Sequence, residues 1–278
     1  MTAVDRWAEA LQEWAIPAEI LAAAPETPWG FPVNVFVETA RSALQGSPTP
    51  TCQRAGEVLP PGGVVLDVGC GAGAASLPVA PPAGRVVAVD EDPEMLRAFS
   101  ALAASRVQAE LIEGRWPQVA GRVGQVDVAL SANVAYNVAD LGAFVEALTA
   151  AASCRVVLEL SALHPQSSLT PLWEHFWGLS RPSRPTWEDA VAVVREVTGC
   201  TPAAQEWSSQ RSFMGERGNG TVAWVRCRLC LGEDREGEVA TLLGRSELDP
   251  SAMVTLWWPG GAPVPNRNKS VSAARPGV

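Results

Sequence analysis

Val64-Val-Leu-Asp-Val-Gly-Cys-Gly-Ala-Gly73 is the stretch that decides the fold. Val64, Val65, Leu66 and Val68 make a compact apolar run behind Pro60-Pro-Gly-Gly63. The run ends at glycines 69, 71 and 73, so a buried strand enters a tight turn. Similar runs recur at Arg85 to Val89, Ala109 to Ile112, Val126 to Leu130 and Arg155 to Leu160. Helix-like stretches lie between them, notably Pro93 to Ala104 and Ala139 to Ala151. Short apolar strands alternating with helices predict a parallel sheet covered on both faces. Right-handed crossovers make it a doubly wound α/β fold, with ligands bound at the carboxyl edge of the strands.

Outward from this centre the pattern weakens. Beyond residue 162 the sequence predicts helices at Leu169 to Gly178 and Thr186 to Val197, and a sixth strand at Ala203 to Ser209. Thr221 to Leu231 fits strand or helix, with helix favoured, and a helix at Asp234 to Leu243 and a last strand at Met253 to Trp258 follow. The first sixty residues are helical, with Trp7, Leu11 and Trp14 at helical spacing, then helices at Asn34 to Leu44 and Thr51 to Val58. The expected organisation is a helical lobe over residues 1–60 packed on a main domain over 61–260. That domain has a cofactor half (61–160) and a cap and substrate half (161–260). A tail at 261–278, rich in Pro, Asn and Ser, is expected to be flexible. Pro78 lies within the helix expected after the glycine turn, so that helix should be short or bent before Pro81.

The 278 residues are 47% hydrophobic and 18% charged, which excludes a wholly disordered chain. Thirty acids against 21 Lys and Arg give a net charge of −9, which argues against nucleic acid and anionic membranes as partners. The opening MTAVDRWAEALQEW has no basic segment followed by an apolar one, so a cytoplasmic location is expected. The longest uncharged runs, Val68 to Gly84 and Pro250 to Asn266, are broken by Gly and Pro and suit no membrane span. Six scattered Cys are expected to be reduced. Cys227 and Cys230 have metal-like spacing but no second pair nearby, so no metal is expected. Eleven Trp against six Phe and one Tyr call for a pocket or an apolar cap.

Two ligand classes compete for the glycine turn. A dinucleotide needs G-x-G-x-x-G/A, which Gly69, Gly71 and Ala74 satisfy. Asp67 argues against it, because a pyrophosphate there meets a carboxylate. At roughly 6 Å and an effective dielectric of about 20, each such like-charge pair costs about 3 kcal/mol. A cationic nucleoside is attracted instead. Asp90, at the end of the next strand, suits a ribose in either case.

Leu66-Asp-Val-Gly-Cys-Gly-Ala-Gly73 followed by Val86-Val-Ala-Val-Asp90 resembles the class I S-adenosylmethionine-dependent methyltransferases. The resemblance is strong from Gly62 to Leu160 and weaker beyond. It implies a mostly parallel seven-stranded sheet with a helical amino-terminal lobe and a helical cap. It implies S-adenosylmethionine as cofactor, with Gly69, Cys70, Gly71 and Gly73 under its methionine part and Asp67 on its amino group. Asp90 would take the ribose hydroxyls, and Glu91 follows where the family contacts adenosine. Many members place an acid after the glycine that ends strand three. Here the stretch is Glu113-Gly-Arg-Trp-Pro117, so Gly114 and Arg115 backbone groups or Trp116 stacking would substitute. Asp92 and Pro93 read as a helix cap and first turn instead.

Strand four ends Leu130-Ser-Ala-Asn-Val-Ala-Tyr-Asn137, without the Asn/Asp-Pro-Pro-aromatic signature of family members that methylate nucleic-acid or protein amines. Ser131, Ala132 and Asn133 are expected on the cofactor wall, and Tyr136 and Asn137 on the substrate side. His164, after strand five, and His175, in Pro171-Leu-Trp-Glu-His-Phe-Trp177, are the candidate bases. Trp173, Phe176 and Trp177, with Trp29 and Phe31, either roof an apolar pocket or form the core under a cap. The expected reaction is in-line methyl transfer to a small-molecule acceptor, apolar or aromatic. Two other readings remain: a protein that binds the cofactor without chemistry, and an NAD(P)-dependent oxidoreductase.

Overall fold

The computed structural model describes residues 1–29, 32–209, 219–243 and 252–261. Its strands are β1 (Gly63–Val68), β2 (Ala83–Asp90), β3 (Gln108–Glu113), β4 (Val126–Ala132), β5 (Ala152–Ser161), β6 (Ala203–Ser208) and β7 (Ala252–Pro259). They form one sheet in the order β3-β2-β1-β4-β5-β7-β6. The first five are parallel, and β7 runs antiparallel to both β5 and β6. The order reverses beside β1, so the glycine turn lies where the sheet opens for a ligand.

The helices are α1 (Ala3–Gln12), α2 (Ala18–Ala23), α3 (Val33–Gln45), α4 (Pro50–Gly56), α5 (Pro93–Ala103), α6 (Leu141–Ala151), α7 (Thr170–Trp177), α8 (Trp187–Thr198), α9 (Asn219–Arg228) and α10 (Glu236–Leu243). Alternate residues of each central strand enter different cores, as the two-residue period requires. Leu66, Val68, Leu158 and Leu160 meet α1, α6 and α8 through Trp7, Phe144 and Val193. Val65, Val128, Leu130 and Val157 meet α4 and α5 through Cys52, Ala55 and Phe99. Around α2, α7, α9 and α10 a third core of Ile20, Leu172, Trp173, Val225 and Val239 forms the cap.

The helix expected to be short before Pro81 is short, and of the two alternatives for the cap aromatics the core one holds. The helix after the glycine turn is a single 3-10 turn at Leu77–Val79, because Pro78, Pro81 and Pro82 carry no N–H to continue it. Trp173 is fully buried with Phe176 and Trp177 packed against the same cap core, so these three hold the cap together and do not roof a pocket. Phe31 and residues 262–278 of the expected tail lie outside the described residues. No described helix is long and apolar enough to cross a membrane.

The amino-terminal helix belongs to the core. Trp7 is fully buried, stacks on Tyr136 at 5.5 Å between ring centroids and donates from Nε1 to the Val138 carbonyl at 2.8 Å. Trp7→Ala is expected to cost about 3–5 kcal/mol in urea unfolding, the scale for emptying a large aromatic site. A loss under about 1 kcal/mol would mean that α1 only leans on the domain.

Candidate active site

The site is built at the carboxyl edge of β1, β4 and β5. There a cavity of about 1040 Å³ opens, at the upper end of small-molecule sites. The glycine turn gives its floor through Gly69, Cys70 and Gly71. Ala132 and Asn133 line it from the end of β4, and Glu159 and Ser161 from β5. Leu11, Trp14 and Ala15, Phe36 and Thr39 of α3, and Trp207, Trp224, Arg228 and Met253 complete the lining.

The turn is glycine for two separate reasons. Gly69 has φ +68°, and a Cβ there would sit 2.3 Å from Val134 Cγ2. At Gly71, with φ +48°, a Cβ would press on the Phe36 ring at 3.0 Å. The chain therefore passes under the cavity with bare backbone, where a ligand can approach the main chain.

Asp67 ends β1 beneath this turn and is 1% exposed. Its Oδ2 accepts from Ser76 Oγ at 2.5 Å, which the missing helix allows, since residues 72–76 fold back over the strand. Its Oδ1 is buried with no hydrogen-bond partner. Burial pushes the carboxyl up to about 7, partly offset by the Ser76 hydrogen bond, with Asp90 and Glu159 adding to the rise. An acid left half-satisfied at a cavity floor is the group a cation or an N–H donor completes.

Asp90 is not on the cavity wall. Its Oδ2 accepts from the Gly71 N–H at 2.9 Å and its Oδ1 from the Asp92 N–H at 3.0 Å. It braces the glycine turn, and its ribose role is not visible in this arrangement. Asp92 caps α5 by accepting from the Glu94 N–H at 2.8 Å.

Other expected residues are also placed elsewhere. Gly73 packs on Leu77 and Phe99, where a Cβ would meet side chains at 2.6 and 2.9 Å. Glu91 is exposed and lies 4.0 Å from Arg115, so the two pair at the surface. Gly114, at φ +145°, packs against Val119. Trp116 is buried in the core and donates to the Phe144 carbonyl at 3.2 Å, so it stacks on no ligand. Ser131 ties β4 to β1 by donating to the Val68 carbonyl at 2.8 Å. His175 faces away from the cavity and pairs with Glu238 at 2.7 Å on the surface.

His164 and Tyr136 do line the cavity, but neither is poised as a base. His164 stacks on Trp14, with ring centroids 3.8 Å apart, and meets Tyr136 edge-on at 5.3 Å. Burial, with Arg181 nearby, pushes it down to about 3, so the ring is neutral. Its Nδ1 accepts from the Gln166 N–H at 3.3 Å, which leaves Nε2 as the protonated nitrogen. The Tyr136 hydroxyl donates to the Ser161 carbonyl at 3.0 Å, and burial pushes its pKa up.

The sequence reading missed Glu159, Trp14 as a cavity wall, Trp207 and Trp224. Glu159 had a signal, a lone acid in the apolar run Val156-Val-Leu-Glu-Leu160. Among the described residues no group of three His, Cys, Asp or Glu is placed to hold a metal ion.

Comparisons with known proteins agree with this geometry. Residues 65–154 match a family model described as a methyltransferase domain. The fold is similar to a putative methyltransferase from Bacillus halodurans, with TM-score 0.52 and 14% identity over 75% of this chain and 96% of that one. It is similar to a putative methyltransferase from an antibiotic biosynthesis pathway of Anabaena variabilis, with TM-score 0.51 and 14% identity over 78% and 99% of the chains. A plantazolicin methyltransferase, solved with a substrate analogue and S-adenosylhomocysteine, gives TM-score 0.50 and 14% identity over 92% and 98%. No match was found among curated proteins. Residues 65–154 thus carry the match to a methyltransferase domain, and the seven-stranded fold is similar to that of solved methyltransferases.

Asp67 gives a prediction about the protein without ligand. Its folded pKa is raised, so its stabilising contribution is complete below about pH 4 and lost as pH rises through 7. Asp67→Asn is therefore expected to gain on the parent protein between pH 4 and 8, by on the order of a few kcal/mol. Urea unfolding of both proteins at each pH measures this, and the His164 contribution cancels in the difference. A difference that stays flat across that range would show that Asp67 is not a buried, desolvated acid.

Proposed function

We propose that this chain transfers a methyl group from S-adenosylmethionine to a small-molecule acceptor. The observation that supports it most is the Asp67 carboxylate, buried at the cavity floor with Oδ1 unpartnered beside bare glycine backbone. The cofactor suits this set, because it is cationic and carries no phosphate. Asp67 would hold its amino group, and the backbone of Gly69 to Gly71, with Cys70 and Asn133, would cradle the methionine part. When bound, the cofactor supplies a methyl already activated by a sulfonium.

The chain's own residues then need only hold the acceptor in line and keep water out. Trp14, Tyr136 and the neutral His164 do this as a rigid apolar wall, and the His164 Nε2–H can orient an acceptor oxygen. No base is required where the acceptor arrives deprotonated. On the domain scale, residues 61–160 form the cofactor half, and the cap over 161–260 with the lobe over 1–60 closes the acceptor half.

Calorimetric titration with S-adenosylmethionine and S-adenosylhomocysteine tests the reading. Binding of both is expected, and no binding of either at millimolar concentration would overturn it. Asp67→Asn should weaken binding by about 1–3 kcal/mol, the scale of a lost charge-assisted hydrogen bond. Turnover separates enzyme from carrier: S-adenosylhomocysteine should form when a broad pool of small aromatic acceptors is offered. Tight binding without turnover of any pool would favour a non-catalytic binding protein. Tighter binding of NAD or NADP than of either nucleoside would favour an oxidoreductase.

A further inference from the structure

The cavity holds a second buried carboxylate that the cofactor reading does not use. Glu159 is 8% exposed and lines the cavity from β5. The sheet order β2-β1-β4-β5 puts it two strands beyond Asp67, on the side away from β2. At about 4.8 Å per strand that is roughly 10 Å across the sheet. The register places it two residues nearer the carboxyl edge, since Asp67 aligns with Leu130 and Leu130 with Val157. A nucleoside held over β2 and β1 leaves this end of the cavity to the acceptor.

A carboxylate in an apolar strand is costly unless hydrogen-bonded. Among the bonds to it, α4 and the end of β4 supply donors directly, and β6 and β7 support the α4 donor. The Trp207 Nε1–H donates to Thr255 Oγ1 at 3.0 Å. Thr255 and Thr51 hydroxyls lie 2.8 Å apart, and Thr51 Oγ1 donates to Glu159 Oε2 at 2.5 Å. An indole nitrogen only donates, so the chain has one direction, from Trp207 through both threonines to Glu159. From the other side Asn133 Nδ2 donates to Oε1 at 3.2 Å, from a residue held at φ +60°. The carboxylate is thereby fixed in place, with each oxygen accepting a hydrogen bond. The same cavity is lined by Trp207, Trp224 and Met253, and by Arg228, whose guanidinium lies 5.0 Å from the centroid of the Trp224 ring.

We propose that Glu159 sets acceptor specificity by receiving the protonated amine of a flat aromatic compound. The inference rests on the reading that puts the nucleoside over Asp67. It adds a substrate class, aryl-alkyl amines, selected by charge at Glu159 and by stacking on the indole walls.

Three indoles of similar size test it on the full chain by calorimetry: tryptamine, tryptophol and indole-3-acetate. Each is titrated with and without saturating S-adenosylhomocysteine. Tryptamine is expected to bind at least tenfold tighter than tryptophol, with indole-3-acetate weakest. In Glu159→Gln the tenfold preference should shrink to less than threefold, while S-adenosylhomocysteine binds as before. Equal affinities for the three compounds in the parent protein would overturn the proposal, whatever the stability of the variant. So would a preference that survives Glu159→Gln unchanged. If S-adenosylhomocysteine fails to bind, the cofactor reading falls. The change in indole order between the parent protein and Glu159→Gln, read without nucleoside, then still decides the role of Glu159.

Discussion

Asp67 is held at the end of β1, on the lining of the cavity, with one oxygen satisfied and the other buried without a partner. Much of the fold exists to keep it there. β1 is central in the parallel sheet, so the position is dry. The glycine turn beside it lines the cavity with backbone. Asp90 braces that turn through the Gly71 N–H, and Ser76 folds back on Oδ2 because proline prevents a helix there. A buried acid in this state is expensive for the protein alone and favourable once a positive group arrives. Cost and function are thus the same feature.

The rest of the cavity divides by chemistry. One wall is made rigid by aromatic packing: Trp14 on His164, Tyr136 against both His164 and Trp7. Trp14 is further tied by its Nε1–H to the Arg184 carbonyl at 2.6 Å. His164 and Tyr136 are therefore structural parts of a wall, one neutral by burial and one committed as a donor. A methyl transfer needs little else from such residues, since positioning and dryness lower the barrier.

The strands were legible because a parallel sheet buried on both faces writes continuous apolar runs, and all seven expected strands are found within a few residues. The glycine turn and Asp67 were legible because backbone geometry and charge are local properties. Less was legible where long-range pairing decides. Glu159 meets Thr51 and Thr255, 108 and 96 positions away in sequence, and nothing local announces that meeting. Trp14 reads as a core helix residue until β5 and its loop bring His164 under it. Trp116 shows the reverse error: its place in a family pattern suggested a ligand, while its large apolar surface is spent in the core. His175 sits on a helix whose aromatic neighbours face the cap core, which leaves the imidazole outside.

The most direct test of the account is the titration of the Asp67 carboxyl itself, followed by carbon-13 NMR of its Cγ in the free protein and in the presence of saturating S-adenosylhomocysteine. The account predicts a midpoint near 7 in the free protein. With the nucleoside's ammonium beside Oδ1, that midpoint falls by two pH units or more. An ordinary midpoint near 4 in the free protein, or one that the nucleoside leaves unmoved, would contradict it.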